Sequence, residues 1–185
     1  MTIRYIADMH FDDGNIIAYD NRPFSGAEEM NAVLTERWNR VVKDDDLTWI
    51  LGDFCGGDAA RWDVLLAGLK GRKALIIGNH DNPASVEAVR SRFEDVAEYR
   101  EISDSGQKVI LCHYPVFSFR DHYFGTVHLY GHVHTSYEWN MAEHQKRLLK
   151  KLYVRDDVCR MANTGAMLPY MDYTPRTLEE LAAHL

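Results

Sequence analysis

Five short apolar runs, each stopping at a block of His, Asp or Asn, constrain this 185-residue chain more than any other feature. Ala74-Leu75-Ile76-Ile77 passes straight into Gly78-Asn79-His80-Asp81. Arg4 to Ala7 leads to Asp8-Met9-His10, Leu47 to Leu51 leads to Gly52-Asp53, and Lys108 to Cys112 leads to His113. Val127 to Tyr130 leads to Gly131-His132-Val133-His134. Apolar runs of this length, closed by glycine or a polar residue, read as buried strands that end in turns.

Helical spacing fills the gaps between the first strands. Ser25 and Glu28 form a capping box ahead of Met30, Val33, Leu34, Trp38, Val41 and Val42. Asp58 caps a helix carrying Trp62, Leu65, Leu66 and Leu69, and Asn82-Pro83 starts another with Val86, Val89 and Phe93. Residues 11–24 read as an irregular loop. A helix is expected over Glu143–Tyr153, a late strand over Met161–Gly165, and a short terminal helix capped by Thr177 and Glu180. Strands alternating with helices indicate an α/β protein. With no repeat, linker or low-complexity tract, residues 1–185 are expected to form one domain.

The formal charge of −7 argues against stable nucleic-acid binding or attachment to a membrane surface. No apolar run is long enough to span a bilayer. Asp8 and His10 already belong to the candidate site, so no removable leader is expected. Cys55, Cys112 and Cys159 form neither a pair nor a Cys-x-x-Cys and read as core fillers, which places the chain in the cytoplasm. On the Glu143–Tyr153 helix, Lys146, Arg147, Lys150 and Lys151 are either a solvated face or a surface that steers a polyanion.

Asp8, His10, Asp53, Asn79, His113, His132 and His134 offer oxygen and imidazole donors and no thiolate, a mixture suited to Mn, Fe, Zn, Co or Ni. Seven donors exceed the needs of one ion and serve two if a carboxylate bridges. Two ions roughly 3.5–4 Å apart can activate a water while gripping a phosphate oxygen. Taken singly, Asp8-x-His10 reads more readily as a surface turn than as a ligand pair, His113 reads as a loop hydrogen-bonder, and His132 and His134 read equally as strand histidines. Their shared position at strand ends, one rim of a sheet, favours a site.

Asp8-x-His10, Gly52-Asp53, Gly78-Asn79-His80-Asp81, His113 and Gly131-His132-x-His134 resemble, in order and composition, the calcineurin-like metallophosphoesterase family over about residues 3–134. The resemblance implies two mixed β-sheets packed as a sandwich flanked by helices, with a dimetal centre at the strand ends. It also implies one ion on Asp8, His10, Asp53 and His134 and the other on Asp53, Asn79, His113 and His132, manganese being the first expectation. His80 would assist the leaving group and Asp81 would orient it. Within a small bacterial and phage subgroup, the opening His10-Phe11-Asp12-Asp13-Gly14-Asn15-Ile16-Ile17 carries Asp12-Asp13 where Gly-His is usual, and Asn15 and Arg22 are candidate phosphate contacts. The expected activity is hydrolysis of a phosphate ester, foremost a diester and nucleotides among the candidates, by a metal-bound hydroxide. The alternatives are a phosphomonoesterase or phosphoprotein phosphatase, or a binding scaffold of the same fold. His122, His128, His144 and His184 take no role from spacing.

Overall fold

The computed structural model describes residues 1–185. Its first sheet sets β1 (Ile3–Ile6), β2 (Leu47–Leu51), β3 (Arg72–Ile76) and β4 (Val96–Ala97) side by side in that order, all parallel. The second sheet runs β5 (Tyr99–Asp104), β6 (Gln107–Cys112), β7 (Val127–Tyr130) and β8 (Arg160–Asn163), with only the β5–β6 pair antiparallel. An antiparallel element joins the first sheet at its β1 edge, where Tyr5 and Arg176 exchange backbone hydrogen bonds of 2.8 and 3.0 Å. One cluster of 35 buried residues draws on both sheets, from Tyr5, Ile50 and Leu75 to Val109, Leu129 and Ala162. The expected α/β architecture of two sheets with flanking helices is what the chain adopts.

The helices are α1 (Asn15–Tyr19), α2 (Ala27–Val41), α3 (Ala59–Gly68), α4 (Pro83–Ala88), α5 (Tyr137–Tyr153) and α6 (Leu178–Leu181). Asp58 and Asn82 cap as expected, and Thr177 with Glu180 forms the capping box. At α2 the partner of Ser25 is Glu29, one residue past Glu28, and it accepts from both the Ser25 amide and hydroxyl. The segment read as a loop contains α1. Helix α5 begins six residues before the expected start, where Ser136 accepts from the Glu138 amide. Strand β5 has no apolar run because it lies at the sheet edge with alternate residues exposed.

Two of the four cations on α5 are not available to a polyanion. Lys146 is buried, donating to the carbonyls of Met161 and His184 at 3.1 and 2.8 Å, and Lys150 donates to Leu185 O at 2.9 Å. They fasten the chain terminus, and only Arg147 and Lys151 face solvent.

His128 fixes the loop after β6. Its Nδ1 lies 3.2 Å from Ile110 O, and its Nε2 lies 3.1 Å from both Tyr114 O and the Val116 amide, from which the neutral ring accepts. Complete burial pushes its pKa from 6.5 down to about 4. An unfolded chain binds this proton below pH 6.5 and the folded one does not, so the group withdraws stability as pH falls through that window. His128→Leu is expected to cost about 1–3 kcal/mol near neutral pH through the orphaned Val116 amide. Denaturant unfolding of the two metal-free proteins should show that gap narrowing between pH 6.5 and 4; a constant gap would mean the ring is not held neutral.

Candidate metal centre

Parallel pairing delivers the carboxyl ends of β1, β2 and β3 to one edge, and that of β6 and β7 does the same in the second sheet. The sheets are joined there: the Ala7 amide donates to Thr164 O and the Ala166 amide to Ala7 O, both at 2.9 Å. Asp8, His10, Asp53 and His134 are all buried, each with a donor atom within 4.8 Å of the others. Next to them, Asn79 Oδ1 lies 3.0 Å from His113 Nε2 and 2.8 Å from His132 Nδ1. Asp53 Oδ2 stands between the groups, 3.6 Å from His10 Nε2 and 3.4 Å from His113 Nε2. All seven expected donors therefore converge.

The backbone is bent to achieve this. Asp8, His10, Asp53, His132 and His134 have φ of 54°, 50°, 55°, 69° and 46°, a left-handed region that costs a non-glycine residue roughly 1–2 kcal/mol. Glycines make room beside them. A Cβ on Gly78 would sit 2.3 Å from Asp53 Oδ1, and one on Gly52, itself at φ +90°, would sit 2.2 Å from His113 Nδ1. Backbone amides hold the carboxylates in turn: His132 N donates to Asp8 at 3.0 Å and His80 N to Asp53 at 2.8 Å.

Three side chains outside the donor set lock these turns. The Arg22 guanidinium donates to Asp8 O at 2.8 Å and Met9 O at 2.9 Å. The Asp81 carboxylate accepts from the amides of Gly78, Phe54 and Asp53 at 2.8, 2.8 and 3.0 Å. Asn163 Nδ2 donates to His134 O at 3.0 Å. Arg22 is thus corrected from phosphate contact to internal strap, because its side chain is buried and its donors are taken. Asp81 grips the turn carrying Asn79 and His80 and makes no hydrogen bond to the His80 ring. Asp12 is likewise bound, to Arg61 and Asn31. Asp13 and Asn15 do line the cavity, about 400 Å³, together with Tyr19, His80, Ser136 and Glu138.

Asp20 escaped the sequence reading. It accepts from His134 Nδ1 at 2.8 Å and from Arg22 at 2.8 Å, so it fixes the ring with Nε2 as the nitrogen left to ligate. An aspartate inside a loop carries no sequence signal of that role.

The charges ask for cations. Burial raises Asp8 above its ordinary range, whereas for Asp53 the His113 hydrogen bond and charge outweigh burial and bring it to about 2. Burial lowers His10 to about 3, and its Nε2 has no hydrogen-bond partner although fully enclosed. At His113 the effect of burial is overcome by Asp53 and Asp8, which raise it to about 9. Its Nδ1–H donates to Leu51 O at 2.8 Å, leaving the Nε2 lone pair aimed at two oxygens, Asn79 Oδ1 and Asp53 Oδ2. Only a proton or a cation reconciles those three atoms, and the donor set fits divalent metal.

The family model described as calcineurin-like phosphoesterase matches residues 1–166. An uncharacterised protein of Methanocaldococcus jannaschii, MJ1445, is 37% identical over 137 residues, which span 73% of this chain and 70% of that protein. The gene 66 protein of Mycobacterium phage D29 is 30% identical over 159 residues, covering 71% of this chain and 77% of its own. A solved structure, that of the Aquifex aeolicus protein of unknown function AQ665, superposes with a TM-score of 0.72 at 25% identity and covers 100% of this chain and 99% of the other.

Asp20→Ala frees His134 Nδ1 and leaves Arg22 without its carboxylate. Metal affinity at this group is expected to fall about 10–100-fold, read by competition with a chelating dye. Unchanged affinity would show that His134 needs no such partner.

Proposed function

Because this chain belongs to the calcineurin-like phosphoesterase family, we propose that it is a dimetal phosphodiesterase. One ion would be held by Asp8, His10, Asp53 and His134, the other by Asp53, Asn79, His113 and His132, with Asp53 as the bridge. Such ions supply Lewis acidity to a phosphoryl oxygen and make water a competent nucleophile near neutral pH. Manganese is the ion we expect first. The three free cysteines suit a reducing, cytoplasmic setting.

The observation that carries the diester reading is the cavity wall. Its residues beyond the donor set are Asp13, Asn15, Ile16, Tyr19, His80, Ser136 and Glu138, with no lysine or arginine among them. A monoester dianion would meet two carboxylates and no side-chain cation. A diester carries one negative charge fewer and so meets less repulsion from those carboxylates. Exposed Tyr19 offers an aromatic face, and Asn15 and Ser136 offer hydrogen bonds, which suits a nucleotide or another ring-bearing ester. The His80 ring packs edge-on against His10 at 5.4 Å between centroids and makes no hydrogen bond to the chain. We take it to give a proton to a departing alkoxide, a contribution of roughly 10²–10⁴ in rate.

With manganese supplied, bis(p-nitrophenyl) phosphate should be turned over with a higher kcat/KM than p-nitrophenyl phosphate. The reverse order would point to a monoesterase, and no turnover of either to a scaffold. His80→Ala should retain metal and lose about 10²–10⁴ on a nucleoside or alkyl diester but much less on a nitrophenyl one, whose leaving group departs without a proton. Equal losses would mean that His80 stabilises the phosphoryl group instead.

A further inference from the structure

The histidines at the candidate metal centre form two series of touching rings, and each series ends on an exposed tyrosine. His80 meets His10 at 5.4 Å between centroids, His10 meets His134 at 5.3 Å, and Tyr19 packs edge-on against His134 at 5.6 Å and 88°. In the second series His113 meets His132 at 5.1 Å. Tyr114 packs edge-on against both, 5.1 Å from His113 and 4.6 Å from His132. The first series belongs to the donors around Asp8 and the second to those around Asn79. Tyr19 is 70% exposed and Tyr114 44%, and neither takes part in the hydrophobic core. One exposed ring needs no explanation, but one on each half of the same centre suits a ligand with two arms.

Tyr114 is also held still. It follows His113 directly, its carbonyl lies 3.1 Å from His128 Nε2, and Pro115 fixes the next backbone angle. A ring fixed in advance loses little freedom when a ligand ring settles on it. His132 lines the cavity, so Tyr114 stands at the rim beside the second donor group.

We infer that Tyr114 is a specificity-determining residue, the stacking surface for the second arm of a phosphodiester that carries a ring on both sides of phosphorus. The inference rests on the diesterase reading and narrows its substrate class. A monoester has one ester arm and can use one tyrosine, whereas a diester can use both. His80 and Tyr19 share one ring series, which assigns the departing alcohol to the Tyr19 side. Tyr114 holds the arm that stays on phosphorus. Stacking on a neutral ring needs no cation, in keeping with a wall that has no lysine or arginine. Nucleobases and aryl groups meet this requirement, and alkyl arms do not.

The test compares bis(p-nitrophenyl) phosphate with methyl p-nitrophenyl phosphate on the manganese-loaded protein. The two esters share a leaving group and differ in the arm that remains. Tyr114→Ala should lower kcat/KM about tenfold on the first and less than about twofold on the second, with metal content unchanged. Tyr114→Phe should keep both within about twofold, because the ring and not the hydroxyl makes the contact. Equal losses on the two esters, lost metal or no loss on either would show that Tyr114 holds no ester arm and would overturn the inference while the diesterase reading stands. A Tyr114→Phe chain that behaves like Tyr114→Ala overturns it as well. No turnover of either ester by the unsubstituted protein overturns the diesterase reading and the inference with it.

Discussion

Two carboxylates, Asp8 and Asp53, are buried where the sheets meet, 0% and 1% exposed, and the rest of the structure is arranged so that they can stay there. An unpaired ion in such a place costs several kcal/mol even after the surroundings relax. Backbone amides of His132 and His80 satisfy one lone pair on each, and imidazoles surround the remainder. The strands feeding the site are parallel, so their carboxyl ends, which carry the acids and the histidines, gather on one edge. A fold built this way tolerates its own negative charge only by inviting positive charge in.

Five left-handed donor residues in one chain are costly, and independent supports keep them in place. Arg22 spans the carbonyls behind Asp8 and Met9, Asp81 gathers three amides behind Asp53 and Gly78, and Asn163 holds the carbonyl of His134. Arg22 and His134 meet at Asp20, so the support behind the first turn also orients a ring from the last. Loss of one support shifts several donors together. The site is held from behind, by groups that face away from the cavity.

This layering explains what could be read from residues alone. The donors were legible because each ends an apolar run, and a glycine precedes three of the blocks. Those glycines are required where a carboxylate or imidazole presses on the main chain, as at Gly78 and Gly52. The supports were not legible in their roles. Arg22 before a proline resembles a surface residue, and only the tertiary path of the loop buries it. Asp81 beside His80 suggests a pair, yet its oxygens are taken by amides from two turns. Edge strand β5 and the first turns of α5 lacked the apolar periodicity that marks buried elements, since their outward faces meet solvent.

The use of Arg22 as a strap has a consequence for ligand binding. An arginine facing the cavity would bind phosphate whether or not metal were present. Here Arg22 is turned into the main chain, and the cavity wall holds no lysine or arginine. Attraction for an anionic ester then comes from the ions alone, so anion and metal occupancy are coupled. The coupling is reciprocal: whatever factor the ions add to ester affinity, the ester adds to theirs. On the proposed function, a phosphate-bearing ligand would therefore hold the metal in.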